Sequence, residues 1–125
     1  DYPTKNSNYS NDDRGGLCIS QYPSGGTTSG TISDISFQDI VIDNIRPNGR
    51  PVSVWQKPSQ GGCLMKRVKF SNISVLSDTG CGISTVVSNG NTIKGLEIKN
   101  VTYNGTLIQN TSQWLVSGDN IEIEY

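Results

Sequence analysis

The phrase "ISDISFQDIVID" at residues 32–43 returns as "MKRVKFSNISVL" at 65–76 and as "IKGLEIKNVTYN" at 93–104. Each copy steps by two residues between apolar positions, then by three, then by two again. The copies align in four apolar columns. The first is Ile35, Val68, Leu96 and Ile121, and the second is Phe37, Phe70, Ile98 and Ile123, with "NIEIEY" as a last, truncated copy. The third is Ile40, Ile73 and Val101, and the fourth is Ile42, Val75 and Tyr103. Along the first column the spacings are 33, 28 and 25 residues. A period between about 20 and 35 residues, built of short strands and polar turns, predicts stacked repeats whose shared core is closed by neighbouring copies.

The two-residue step places alternate side chains on one face of a strand. The three-residue step marks a corner, and a small polar residue stands at each one: Asp39, Asn72 and Asn100. Asn and Asp tolerate the left-handed backbone conformation of a tight corner, and their side chains can hydrogen-bond backbone of the adjacent coil. The segments "GRPVSVWQ", "GCGISTVVSN" and "GTLIQNTS" each offer a further strand after a Gly, and "GLCISQY" reads as the same strand one coil earlier. The expected fold is all-β, a right-handed parallel β-helix of about four coils over residues 17–125. A β-sandwich is the alternative for short strands with turn signals, but aligned columns favour the solenoid. Residues 1–16, "DYPTKNSNYSNDDRGG", are polar and irregular and cannot cap a stack. The tail "SQWLVSGDNIEIEY" can, with Trp114 and Leu115 covering the last coil. The chain is therefore expected to be part of a longer solenoid, or to meet a partner at its front end.

Composition narrows the function. With 125 residues, 33% hydrophobic content and 14 Gly, the chain suits one turn-rich β domain. A net charge of −1 leaves no footprint for nucleic acid, and no apolar run is long enough to span a membrane. Five N-x-Ser/Thr sequons, at Asn8, Asn72, Asn100, Asn104 and Asn110, point to a secreted, extracellular glycoprotein. Of three cysteines, Cys63 and Cys81 are near enough in sequence to close a loop, worth about 3 kcal/mol in the chain-entropy picture. Cys18 is left over. The chain has no His and too few Cys for a zinc site, and no other metal or cofactor is expected.

From Gly15 onward the order of segments resembles the C-terminal half of the polygalacturonase-type β-helix, glycoside hydrolase family 28. That family runs "GHGISIGS", "V-x-N-V-T-F-x-N", "NG-V-R-I-K-T-W", a Gly-rich loop, "N-I-x-F-x-N-I" and "Y-x-N-I-x-G-T-S". This chain runs "GGLCISQYPSGG", "ISDISFQDIVIDN", "NGRPVSVWQ", "PSQGG", "VKFSNISV" and "LEIKNVTYNGT". The resemblance spans about 110 residues and lies in motif order more than in identity. It implies hydrolysis of a glycosidic bond, with inversion, on a poly- or oligosaccharide. Leu17 stands where the family has the His of "GHG", and Pro51 and Ser53 stand where it has the Arg and Lys that grip an acidic sugar. Without those cations a neutral glycan is the expected ligand. The family's paired aspartates fall on a coil before "GHG", which implies a further N-terminal part of the protein, a separate chain among the possible partners.

By the same resemblance Trp55, Gln56 and Lys57 lie where the family places substrate-side residues, and Tyr22 and Arg50 can line the same cleft; a Trp filling the groove between coil and loop is the other reading of Trp55. Asp12 and Asp13 are the only adjacent carboxylates and the candidate acids within this chain. Inverting hydrolysis needs two carboxyl groups about 6.5–9.5 Å apart, and neighbours on a strand face opposite ways, so a third acid from another coil would be required. A solvated loop with either acid paired to Arg14 is the simpler reading of the same residues. Two other classes share the architecture: a non-catalytic glycan-binding or structural solenoid, and a tailspike-like or lyase domain. The lyase wants an acidic cluster for calcium, and the sequence shows none.

Overall fold

The computed structural model of the chain describes residues 17–21, 29–43, 52–56, 62–76 and 85–125. Among them are strands β1 (Leu17–Gln21), β2 (Gly30–Ile42), β3 (Val52–Gln56), β4 (Cys63–Val75) and β5 (Thr85–Val87). They are followed by β6 (Thr92–Tyr103), β7 (Thr106–Leu107), β8 (Leu115–Ser117) and β9 (Ile121–Glu124). The only helical turn among the described residues is a 3-10 turn at Thr111–Gln113.

The strands form two sheets. One has the order β1-β3-β5-β8 and the other β2-β4-β6-β7, with β9 also paired to β6. All pairs are parallel except β6 with β7. Until the β6–β7 turn the chain alternates between sheets and advances one place in each, so β1–β2, β3–β4 and β5–β6 are successive rungs. The rung then resumes with β8 and β9. A chain that alternates in this way pairs parallel without crossover helices, because the other sheet serves as the return path.

Columns three and four, and the first three copies of columns one and two, are the inward-facing rows. Ile35 pairs with Val68 and Val68 with Leu96, Phe37 with Phe70 and Phe70 with Ile98, and Ile40 with Ile73 and Ile73 with Val101. On the middle rung Val68, Phe70, Ile73 and Val75 are 0–1% exposed. The rings of Phe37 and Phe70 stack face to face, 4.9 Å apart and 5° from parallel. The other sheet contributes Ile19, Val54, Val86 and Val116 in one register row.

Each long strand bends twice. Backbone φ is positive at Asp39 (56°), Asn72 (53°) and Asn100 (50°), the expected corner, and again at Asp34 (61°), Arg67 (51°) and Gly95 (63°). Pairing skips these residues and resumes in step, from Ser33–Lys66 to Ile35–Val68 and from Gln38–Ser71 to Ile40–Ile73. Because neighbours break at the same places, the bend leaves the hydrogen-bonded ladder intact on either side. The sequence shows the corner at Asp34, Arg67 and Gly95 too, the first along each strand, as the three-residue steps Ile32–Ile35, Met65–Val68 and Ile93–Leu96; no Asn column marks it.

Two stacks of polar side chains hold the corners. At the second, Asn72 Nδ2 donates to Asp39 Oδ1 at 3.0 Å, and Asn100 Nδ2 donates to Asn72 Oδ1 at 3.0 Å. These bonds run between side chains, where bonds to backbone of the adjacent coil were expected. At the first, Arg67 carries a conformation that Arg adopts at a cost. Its guanidinium makes a bidentate pair with Asp34, Nε to Oδ1 at 2.5 Å and Nη2 to Oδ2 at 2.7 Å, both side chains exposed. The guanidinium holds the Asp34 carboxyl well below the usual carboxylate range, and the carboxylate in turn raises Arg67.

The C-terminal end departs from the expected pattern in three ways. Ile121 pairs with Ile93 and Ile123 with Leu96, one column earlier than the truncated repeat implies. The cause is the corner at Gly95: β6 takes three residues from Ile93 to Leu96 where β9 takes two, and a register shift absorbs the difference. "GTLIQNTS" does not extend the first sheet. Asn104 and Gly105, with φ of 46° and 79°, make a two-residue turn that folds β7 back antiparallel onto β6. The fourth place in that sheet falls to β8. Trp114 is buried at 6% exposure, but Leu115 points outward at 49% and covers nothing. Gly118, φ 111°, is required where β8 leaves for β9, because a Cβ there would lie 2.2 Å from Ser88 Oγ.

Two outcomes test these stacks. Asn72→Asp sets a second carboxylate against Asp39 and removes a donor on an exposed corner, so at pH 7 it should cost about 0.5–1.5 kcal/mol by urea unfolding. That deficit should shrink at pH 4, where one carboxyl of the pair takes a proton. Asp34→Asn should lower the urea midpoint at neutral pH. The support from Asp34 is complete above its ordinary value of 3.8 and fades as pH falls toward the depressed folded value, so the two unfolding curves should converge in acid.

Candidate functional site

Along β3, Val52, Val54 and Gln56 face inward, which turns Ser53 and Trp55 to the outer face of the first sheet. Register places Ser20, Trp55, Val87 and Ser117 in one outer row, and Cys18, Ser53 and Leu115 in the next. Parallel rungs lie about 4.8 Å apart, so an indole on one rung spans its neighbours. Trp55 is half-buried, with part of its surface open. Ser53 is only 1% exposed although it faces outward, whereas Cys18 and Leu115 in the same row are exposed. On β1, the Cys18 thiol and Ser20 hydroxyl share a hydrogen bond at 3.2 Å.

The chemistry of this face is uncharged. Strands β1, β3, β5 and β8 read LCISQ, VSVWQ, TVV and LVS, without one Asp, Glu, Lys or Arg. The acids of the described residues lie on β2, β6 and β9 and beside them. Asp34, held ionised by Arg67, is unsuited to donate a proton. The outer face is equipped to stack on an apolar surface through Trp55 and to meet hydroxyls through Ser20 and Ser117.

Gln56 belongs elsewhere. Its side chain is 0% exposed and faces inward, so it is not a substrate contact. Gln56 Nε2 donates to Gln21 Oε1 at 2.8 Å and to the Thr92 carbonyl at 3.2 Å, while Gln21 Nε2 donates to the Gly30 carbonyl at 2.9 Å. The two amides tie the ends of β1 and β3 to the starts of β2 and β6. Strand alternation predicts this, since two residues before Gln56 comes Val54, a core residue.

Of the other candidates, Asp12, Asp13, Tyr22, Arg50, Lys57, Asn8 and Cys81 lie outside the described residues, so the expected Cys63–Cys81 bridge does too. Cys63 itself is buried at the start of β4. Among the described residues no group of three or more His, Cys, Asp or Glu is placed to hold a metal ion. Sequence reading missed a shallow hollow of about 230 Å³ where β6, β7 and the C-terminal residue meet, lined by Ile98, Lys99, Leu107, Ile108, Gln109 and Tyr125. Burial raises the Tyr125 phenol above its ordinary value of 10.0.

The four described sequons fall in two settings. Asn72 and Asn100 use Nδ2 in the corner stack. Asn104 sits on the exposed β6–β7 turn, and exposed Asn110 caps the 3-10 turn through Oδ1, accepting from Ser112 N at 3.0 Å. Compared with protein-family models, curated proteins and solved structures, the chain finds no match.

Proposed function

We propose that the two sheets are faces of a right-handed parallel β-helix of about four coils, and that the outer face around Trp55 binds a neutral polysaccharide. The observation that carries this reading is the outward indole, flanked by Ser20 and Val87, on a sheet face without charged groups. Apolar faces of neutral pyranose rings stack on aromatic side chains, and nothing on this face compensates the desolvation of a sugar carboxylate.

The motif order supports a place in the C-terminal part of a secreted, inverting glycoside hydrolase resembling family 28. The main acids would come from an N-terminal part of that protein, as one chain or a partner. The uncharged face favours a second reading equally open to test: a glycan-binding solenoid without catalysis.

Titration with neutral and uronic-acid oligosaccharides separates these readings. Of the two tryptophans Trp114 is buried, so ligand-dependent fluorescence should come from Trp55. A neutral oligosaccharide should quench it, and Trp55→Ala should weaken binding by roughly tenfold or more, the loss expected for a central aromatic contact. Tighter binding of the uronic-acid series, or an unchanged affinity in Trp55→Ala, would overturn the assignment. Release of reducing sugar by the protein together with its N-terminal part distinguishes hydrolase from scaffold.

Secretion is proposed from the sequons, and the fold ranks them. A glycan on Asn72 or Asn100 takes one of the two Nδ2 hydrogens and crowds the corner stack. Peptide mass mapping of protein from a glycosylating eukaryotic host should find sugar at Asn104 or Asn110 and little at Asn72 or Asn100.

A further inference from the structure

Among the described residues β2 pairs with β4 alone, and its other main-chain edge is open to them. Its inward side chains Ile32, Ile35, Phe37, Ile40 and Ile42 are half-buried, while Met65, Val68, Phe70, Ile73 and Val75 one rung further in are 0–1% exposed. One face of the Phe37 ring lies on Phe70 and the other points along the stack, away from β4. An edge with a row of apolar side chains beneath it is a template for another strand.

Shape and charge say which strand. The backbone of β2 turns through positive φ at Asp34 and Asp39, five residues apart. A strand that stays paired along the whole edge must turn at the same two places, as β4 does at Arg67 and Asn72. Residues Gly30–Asp43 hold three acids, Asp34, Asp39 and Asp43, and no base. Strand β4, which already pairs with them, holds Lys66, Arg67 and Lys69 and no acid. Asp39 ends the corner stack as an acceptor, so a donor from the open side would extend it.

A second copy of this chain is a poor occupant. Its far end, β9, lacks the two corners and carries Glu122 and Glu124 without a base, so end-to-end stacking would oppose like charges on mismatched backbones. Two β2 edges brought together would oppose Asp to Asp.

We propose that the open edge of β2 docks a basic, parallel β-strand of another polypeptide, with turn-forming residues five apart as in β4. The proposal rests on the stacked-rung reading of the fold and is independent of glycan binding.

The test uses the unmodified chain and two capped peptides. One has the sequence of residues 62–76 with Cys63→Ser; the other adds Lys66→Glu, Arg67→Glu and Lys69→Glu. The basic peptide should slow hydrogen exchange of β2 amides, bind at least roughly tenfold more tightly than the acidic one, and weaken as salt is raised. Equal binding of both peptides, protection at β9 in place of β2, or no protection of β2 at millimolar basic peptide would overturn it. So would concentration-dependent protection of β2 without peptide, which would assign the edge to a second copy. The fluorescence titration around Trp55, run on the same sample, reads the glycan proposal separately.

Discussion

Everything in this fold depends on neighbouring strands bending at the same residue. A parallel ladder tolerates a left-handed residue only where its partner has one too; otherwise one strand gains a residue and inward and outward faces exchange. The chain meets that constraint with a column of corners at Asp34, Arg67 and Gly95 and another at Asp39, Asn72 and Asn100. Where it fails, at β9, the cost is a register shift and a strand of four residues. The half-buried first rung and the shortened last rung mark the two ends of the in-step region.

Polar groups secure what apolar columns cannot specify. Apolar side chains pack well in several registers, whereas an amide stack or a bidentate ion pair accepts one. Outside, the Asn column and the Asp34–Arg67 pair lock the corners of β2, β4 and β6. Inside, Gln21 and Gln56 join the two sheets, each amide reaching the other or a carbonyl of the opposite sheet. At 0% exposure Gln56 satisfies its Nε2 twice while its Oε1 finds no partner, so the inner pair constrains register through its donors.

Much of this was legible in the residues. Seven of the strands, β1 to β6 and β9, follow from the repeat and its intervening segments, and the corner at Asp39 follows from its Asn column. The first corner was harder to read because Asp, Arg and Gly share no side-chain chemistry there. Only their backbone angle agrees, and Arg67 is held to it by a partner 33 residues away. The β6–β7 turn was written as Asn104-Gly105, yet the repeat suggested another strand in its place. The motif order put Trp55 and Gln56 together as substrate-side residues, and strand alternation along β3, which turns one outward and the other inward, was not applied to them.

The corner stack has a direction. Each amide hydrogen points from a later rung to the one before it, from Asn100 to Asn72 to Asp39, and the series ends on a carboxylate that has no hydrogen to pass on. Such a series has a grammar for duplication. A copied rung that carries Asn can be inserted anywhere behind Asp39 and still both give and receive. A copied rung that carries Asp breaks the sequence wherever it lands except at the head. The single carboxylate thus distinguishes first from later in a set of otherwise interchangeable repeats, and gene duplication could lengthen this stack only by multiplying its asparagine-bearing members.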